Sequence, residues 1–233
     1  MARTPTLTSV RSDFAWILES SENLASAVLE CAEEGWDNIQ GWELLFPAQA
    51  RRVIALSFMT AVGAWEEFVQ GCFVRYMAGA VSPSGYAPHL RIGACETLAH
   101  AGQVLTRRSN FDFERSFLSW AVWSDVIDRA KIYFRSGRPF SDVDAASKQR
   151  LQDASVIRNR VAHSSEKCRA DFVAVAKHHL GLKPQHKLKQ GYDVGRLLIA
   201  APAIGFQPAP EINTYFAAYF SLFRRLADVL APP

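Results

Sequence analysis

Residues 47–76 read PAQARRVIALSFMTAVGAWEEFVQGCFVRY, and no proline interrupts the chain again until Pro83. Val53, Leu56, Met59, Trp65, Phe68, Phe73 and Tyr76 recur mostly at helical spacing, the mark of a helix with one apolar face. Pro47 suits the first helical position, where its fixed φ fits and its missing N–H is not needed. The stretch predicts the longest helix of the chain. Gly63 and Gly71 lie inside it. Each glycine costs about 1 kcal/mol in a helix interior, so both are expected where a neighbouring helix comes close.

The same period recurs on both sides. Leu7, Val10, Phe14, Ile17, Leu24, Val28 and Cys31 predict a first helix ending near Gly35, then a connector from Trp36 to Phe46. After a loop from Val81 to Pro88, helical patterns cover roughly 89–105 and 113–134. Ser136-Gly137-Arg138-Pro139 breaks the chain, and Ser141, Asp142 and Asp144 are candidate caps for a helix running toward His163. Ser164 or Ser165 caps the next helix, which ends at Gly181. Residues 182–210 carry Pro184, Gly191, Gly195, Pro202, Gly205, Pro208 and Pro210 and read as an irregular connector. The final helix, about 212–230, is rich in aromatics: Tyr215, Phe216, Tyr219, Phe220 and Phe223. No strand period and no internal repeat is present. The expectation is a single all-α domain over residues 1–233, an irregular up-and-down bundle of six to seven helices.

Composition narrows the class. With 233 residues and 49% hydrophobic content the chain is too apolar for disorder and long enough to bury a core. Cys31, Cys72, Cys95 and Cys168 are widely spaced with no CxxC pair, which argues against a zinc knuckle or a redox motif. Residues 1–6 lack the apolar core of a secretory signal. The most apolar stretch, Leu197 to Phe206, is about half the length needed to span a bilayer, and Pro202 interrupts it. A cytoplasmic protein with no membrane partner is expected.

The net charge is +3, yet the 26 basic residues are 19 Arg and 7 Lys. Arg is the side chain best built for two-pronged contact with phosphate. Residues 148–196 hold eleven basic and four acidic side chains, a surplus of seven, so the rest of the chain is net −4. Such a run is commonly a solvated face. Its position decides whether it is more.

Several chemistries are absent as motifs. The sequence has no GxxxxGK[ST] loop, no HExxH and no GxSxG elbow. Glu66 and Glu67 are adjacent and so point about 100° apart on a helix, poor geometry for shared acid–base work. His178 and His179 are adjacent too, and His186 is not at ligand spacing from them; solvated histidines favoured by the helix dipole are expected there. No metal and no cofactor is expected.

What remains is Val156-Ile157-Arg158-Asn159-Arg160-Val161-Ala162-His163-Ser164-Ser165. Bare R-x4-H is expected about 0.5 times by chance in a chain of this composition, which makes it nearly worthless alone. Requiring Asn, Asp or His after the Arg lowers the expectation to roughly 0.05. The single occurrence falls near the end of a predicted helix, just before a capping serine.

Arg158-Asn159-x-x-x-His163 resembles the R-(N/D/H)-x-x-x-H signature of the HEPN superfamily, all-helical domains that are often metal-independent endoribonucleases. The flanking Ile157 to Ala162 and the Ser164-Ser165 turn into a new helix resemble the motif region of bacterial members. Ala64-Trp65-Glu66-Glu67-Phe68 resembles, more weakly, an acidic–aromatic pattern on a long early helix of some members. Toxin-type members with a nucleotidyltransferase partner often carry Tyr two positions after the His; Ser165 stands there in this chain. The resemblance implies a toxin or defence effector, an antitoxin or regulatory protein as partner, and a homodimer whose two motifs form one composite site. Support from Glu66 and Ser164 is part of the same expectation.

The chemistry is coherent on its own terms. RNA carries its own nucleophile, the 2′-hydroxyl. A base must take that proton, and His titrates near neutrality. The phosphorane gains negative charge, which a guanidinium holds with two parallel hydrogen bonds. His163 is the candidate base, Arg158 the phosphate clamp, and Asn159 a group that orients the ring or binds phosphate. The products would be a 2′,3′-cyclic phosphate and a 5′-hydroxyl. Arg158 and His163 lie about 140° apart around an ideal helix, so one copy alone does not obviously close a site. Arg160, Lys167 and Arg169 crowd the motif as candidate RNA contacts. Two alternatives stand beside this reading: a non-catalytic HEPN-like module for RNA binding or dimerisation, and a surface Arg158 with His163 merely capping the last carbonyls of a helix.

Overall fold

The computed structural model describes residues 6–33, 47–113, 118–203, 206 and 212–233. Among these it is all-α, with helices α1 (Thr8–Glu33), α2 (Pro47–Met77), α3 (Leu98–Thr106), α4 (Trp123–Tyr133), α5 (Ala145–Ala162), α6 (Glu166–His179), α7 (Val194–Ile199) and α8 (Tyr215–Leu230). Two single turns of 3₁₀ helix, Arg135–Gly137 and Phe140–Asp142, precede α5. Instead of strands, the described residues show only isolated bridges, Thr6 to Val81 and Leu90 to Phe134. Eight helices exceed the six or seven expected. The addition is α7, which forms inside the expected connector because Asp193 caps it, accepting from the Arg196 N–H at 2.8 Å.

The chain forms two compact units, each discontinuous. One comprises Met1–Ala15, Ala64–Gln152 and Phe223–Pro233; the other comprises Trp16–Gly63 and Asp153–Leu222. The boundaries fall within α1, α2, α5 and α8, so these four helices contribute to both.

The first unit is built on an aromatic layer. Trp65 of α2 lies within 5.7–5.9 Å, ring centroid to centroid, of Phe14, Phe68, Trp123 and Phe223. Phe73 packs against Trp120, Phe134 and Phe140 at 4.9–5.1 Å. Carbonyls at the C-terminal end of α8, where intrahelical donors run out, accept from side chains of the same unit. Tyr76 donates to the Leu230 carbonyl at 2.8 Å, and Arg11 donates to the carbonyls of Ala227 and Ala231 while pairing with Asp228 at 2.7 Å.

Several boundaries differ from expectation. The pattern at 89–105 becomes helix only from Leu98, where Thr97 caps by accepting from the His100 N–H. The pattern at 113–134 becomes helix only from Trp123. Phe111 and Trp120 are buried from non-helical backbone instead, Trp120 donating to Gln70 at 2.7 Å. Of the caps proposed for α5 the chain uses Asp144, and α8 opens at Tyr215 behind Thr214, whose hydroxyl accepts from the Ala217 N–H. Gly71 does sit at a close approach: a Cβ there would press on Val10 of α1. Gly63 does not, since nothing lies within 4 Å of where its Cβ would be. The expected stop at Gly35 and the connector to Phe46 lie outside the described residues.

The second unit carries the motif. Its core includes Phe58 of α2 against Tyr219 of α8 at 5.1 Å, edge to face, and Phe172 and Ala176 of α6. Tyr215, Tyr219 and Phe220 of α8 are fully buried. The aromatics of the final helix are thus core residues.

Candidate functional site

The last two turns of α5 present Arg158, Asn159 and Arg160, and His163 is the first residue beyond the helix. The His163 N–H still bonds the Asn159 carbonyl at 2.9 Å, so the ring sits at the C-terminal cap of the helix. His163 is exposed, its imidazole open to solvent rather than packed in the core. Arg158 is half-buried and donates to Asn159 Oδ1 at 3.1 Å. Asn159 therefore engages the guanidinium of the proposed clamp. Arg160 donates to the His163 carbonyl at 2.9 Å and pins the turn that carries the ring.

The following residues divide. Ser165 caps α6 by accepting from the Cys168 N–H at 3.3 Å, and Ser164 is left exposed in the turn. Lys167 pairs with Asp171 one turn along α6 at 2.8 Å, an interaction that raises its pKa. Arg169 is exposed. Glu66 lies on the part of α2 in the first unit, 8% exposed, so the structure places it in a different unit from Arg158 and His163.

His178 and His179 part company. His178 is exposed, whereas His179 is buried to 6%, which corrects the expectation of a solvated pair. The adjacent positions face different ways on the helix, and α8 supplies polar partners for the inner one. His179 Nε2 lies 2.9 Å from the Tyr219 hydroxyl and 3.7 Å from Asp153 Oδ2 of α5. Tyr215 stacks on the His179 ring at 4.9 Å and donates its hydroxyl to the His179 carbonyl. These contacts tie α5 and α6 to α8.

Beside that turn the second unit opens into a cavity of about 840 Å³. Arg160, Arg169 and Lys177 line one part, Arg51 and Arg52 of α2 another, and Lys187 and Lys189 a third. Asp193 is the acidic residue among the lining, and it is spoken for, held by Arg51 at 3.0 Å while capping α7. Gly195 is required here, because a Cβ would run into the Arg51 backbone. The rest of the wall is apolar or aromatic, including Phe172, Leu56 and Tyr192. Burial, with Tyr215 and Asp193 nearby, raises the Tyr192 pKa, so its phenol stays neutral as a hydrogen-bond donor.

Of the candidate RNA contacts, Arg160 and Arg169 line the cavity, together with Arg51 and Arg52, which lie far away along the chain and were not among the candidates. Their only signal was an adjacent Arg pair in the first turns of a helix. Lys167 falls outside the cavity lining.

Fold and site together define an all-α protein with an Arg–Asn/His motif at a helix end and a basic cavity alongside. No family model, no curated protein and no solved structure matches the chain. Among the described residues no group of three or more His, Cys, Asp or Glu is placed to hold a metal ion, and no helix is long and apolar enough to cross a membrane. Cys72 and Cys95 are free and buried, and burial raises both thiol pKa values.

Proposed function

We propose that this protein is a metal-independent endoribonuclease of the HEPN type, acting as a toxin or defence effector. The observation that carries the reading is the Arg158-Asn159-x-x-x-His163 motif at the solvent-open end of α5, with its imidazole exposed and its guanidinium held by Asn159. His163 takes the proton of the 2′-hydroxyl. The 2′-oxygen then bonds to phosphorus, the bond from phosphorus to the 5′-oxygen breaks, and Arg158 neutralises the charge on the non-bridging oxygens. The protonated imidazole then returns its proton to the departing 5′-oxygen, and in a homodimer Arg158 of one copy and His163 of the other complete each composite site. The products are a 2′,3′-cyclic phosphate and a 5′-hydroxyl. An effector of this kind needs an antitoxin or other regulatory protein, and cytoplasmic RNA is its substrate.

The test is cleavage of RNA in the presence of EDTA. His163→Ala should lower the rate by about 10²–10⁴ through loss of the base. Arg158→Ala should lower it by about 10²–10³ through loss of transition-state charge stabilisation. Activity that is absent from wild type, or indifferent to both substitutions, overturns the assignment.

The density of cations around the motif also favours a second reading, a non-catalytic module that binds RNA or dimerises. It differs in one observable: RNA bound with strong salt dependence stays intact through long incubation.

A further inference from the structure

We propose that the basic cavity of the second unit is a groove for single-stranded RNA, one that leads the strand to the His163 turn. The proposal rests on the ribonuclease reading for the identity of the ligand, but its own observations are separate. Seven cationic side chains line the cavity, and the one acidic side chain among the lining is committed to Arg51 and to the start of α7. The surplus is suited to a chain of phosphates. Arg52, Arg169, Lys187 and Lys189 are exposed, so they stand along an open channel rather than around a closed pocket.

The apolar part of the wall decides between single strand and duplex. Leu56 of α2 is 42% exposed, and Tyr192, half-buried, belongs to the same lining. Bases use such surfaces only when they are unstacked. Duplex RNA hides its base faces and is read through its backbone and 2′-hydroxyls. A channel combining cations with apolar and aromatic wall is the pattern of single-strand binding.

Arg160 fixes where the strand leads. It lines the cavity and also donates to the His163 carbonyl at 2.9 Å, so the groove and the candidate base share one side chain. A phosphate drawn to Arg160 is thereby delivered to the turn that carries the imidazole.

The experiment separates binding from cutting. Fluorescence anisotropy with a labelled, fully 2′-O-methylated oligonucleotide reads affinity on a strand that lacks the nucleophile. The triple variant Arg52→Ala/Lys187→Ala/Lys189→Ala should bind at least roughly tenfold more weakly. Its slope of log affinity against log salt should be shallower by about 2, from three contacts at about 0.7 each. Arg108→Ala, an exposed Arg of the first unit, should change neither. Circular dichroism checks that the triple variant folds. If it does not, Lys187→Ala and Lys189→Ala alone should each flatten the slope by about 0.7.

Wild-type binding that these substitutions leave unchanged overturns the groove, as does tighter binding of duplex or of polyglutamate than of the single strand. Wild type that binds in this way but never cuts unmodified RNA leaves the groove standing and removes the ribonuclease reading. Wild type that cuts, with the triple variant keeping the wild-type KM, removes the groove and leaves the ribonuclease.

Discussion

His163 and His179 stand at opposite ends of one turn-and-helix segment and hold opposite kinds of position. His163 is exposed at a helix cap, while His179 is buried against Tyr219, Tyr215 and Asp153. The difference predicts opposite outcomes for the same substitution. His163→Ala should leave stability within about 0.5 kcal/mol of wild type, as exposed positions without special contacts do. His179→Ala should cost about 2–4 kcal/mol, because it opens a cavity in the core and removes the ring's stacking on Tyr215 and its hydrogen bond with Tyr219. Tyr219→Phe removes only one hydrogen-bonding group and should cost about 1 kcal/mol. Urea unfolding of the three variants checks the order. A His163→Ala variant as unstable as His179→Ala would mean that the candidate base has a structural task.

At the scale of elements, α5 is the helix on which the site depends, and its start is set by one residue. Asp144 accepts from the Ser147 N–H at 2.9 Å and from the Ser147 hydroxyl at 2.6 Å, and Arg225 approaches at 3.5 Å. The two bonds from Ser147, helped by Arg225, lower the Asp144 carboxyl from 3.8 to about 2. Because the folded value is the lower one, the cap contributes fully above the unfolded value near 3.8 and is lost as pH falls through about 2. Asp144→Ala should therefore cost about 1 kcal/mol at neutral pH. Its urea midpoint should converge on that of wild type between pH 4 and pH 2. A gap that persists unchanged to pH 2 would show that the carboxylate is not the source. The elements also show what could be read from the sequence. The uninterrupted period of Pro47 to Tyr76 gave α2 to within a residue, and local caps gave α5 and α6. The start of α4 was hidden because Trp120, inside the expected pattern, is buried from a loop held by a long-range contact to Gln70, and that of α3 because its cap, Thr97, stands well inside the expected pattern. α7 was hidden because its cap, Asp193, sits in a stretch dominated by glycine and proline. The candidate motif was visible because all its members, Arg158 to His163, lie within six residues. The cavity was not, because Arg51 and Gly195 meet only in the folded chain.

On the scale of the whole molecule the charge is unevenly distributed: +7 within residues 148–196 and −4 elsewhere. The low net charge therefore averages over a strongly basic segment and an acidic remainder, and in a homodimer a second copy would double the field at any shared cleft. A symmetric pair also makes a quantitative demand. In a twofold dimer whose composite sites each combine Arg158 of one copy with His163 of the other, two different inactive variants complement each other. A mixed dimer of Arg158→Ala and His163→Ala has one site with both groups intact and one with neither. Random exchange at equal concentrations makes about half of the dimers mixed, and each recovers one of two sites. The mixture should thus regain about a quarter of wild-type activity, while each variant alone stays inactive. Sedimentation equilibrium at the assay concentration confirms that dimers are present and exchange. If dimers exchange and the mixture stays as inactive as its parts, Arg158 and His163 do not act across copies, and the composite site is wrong even if the RNA is cut.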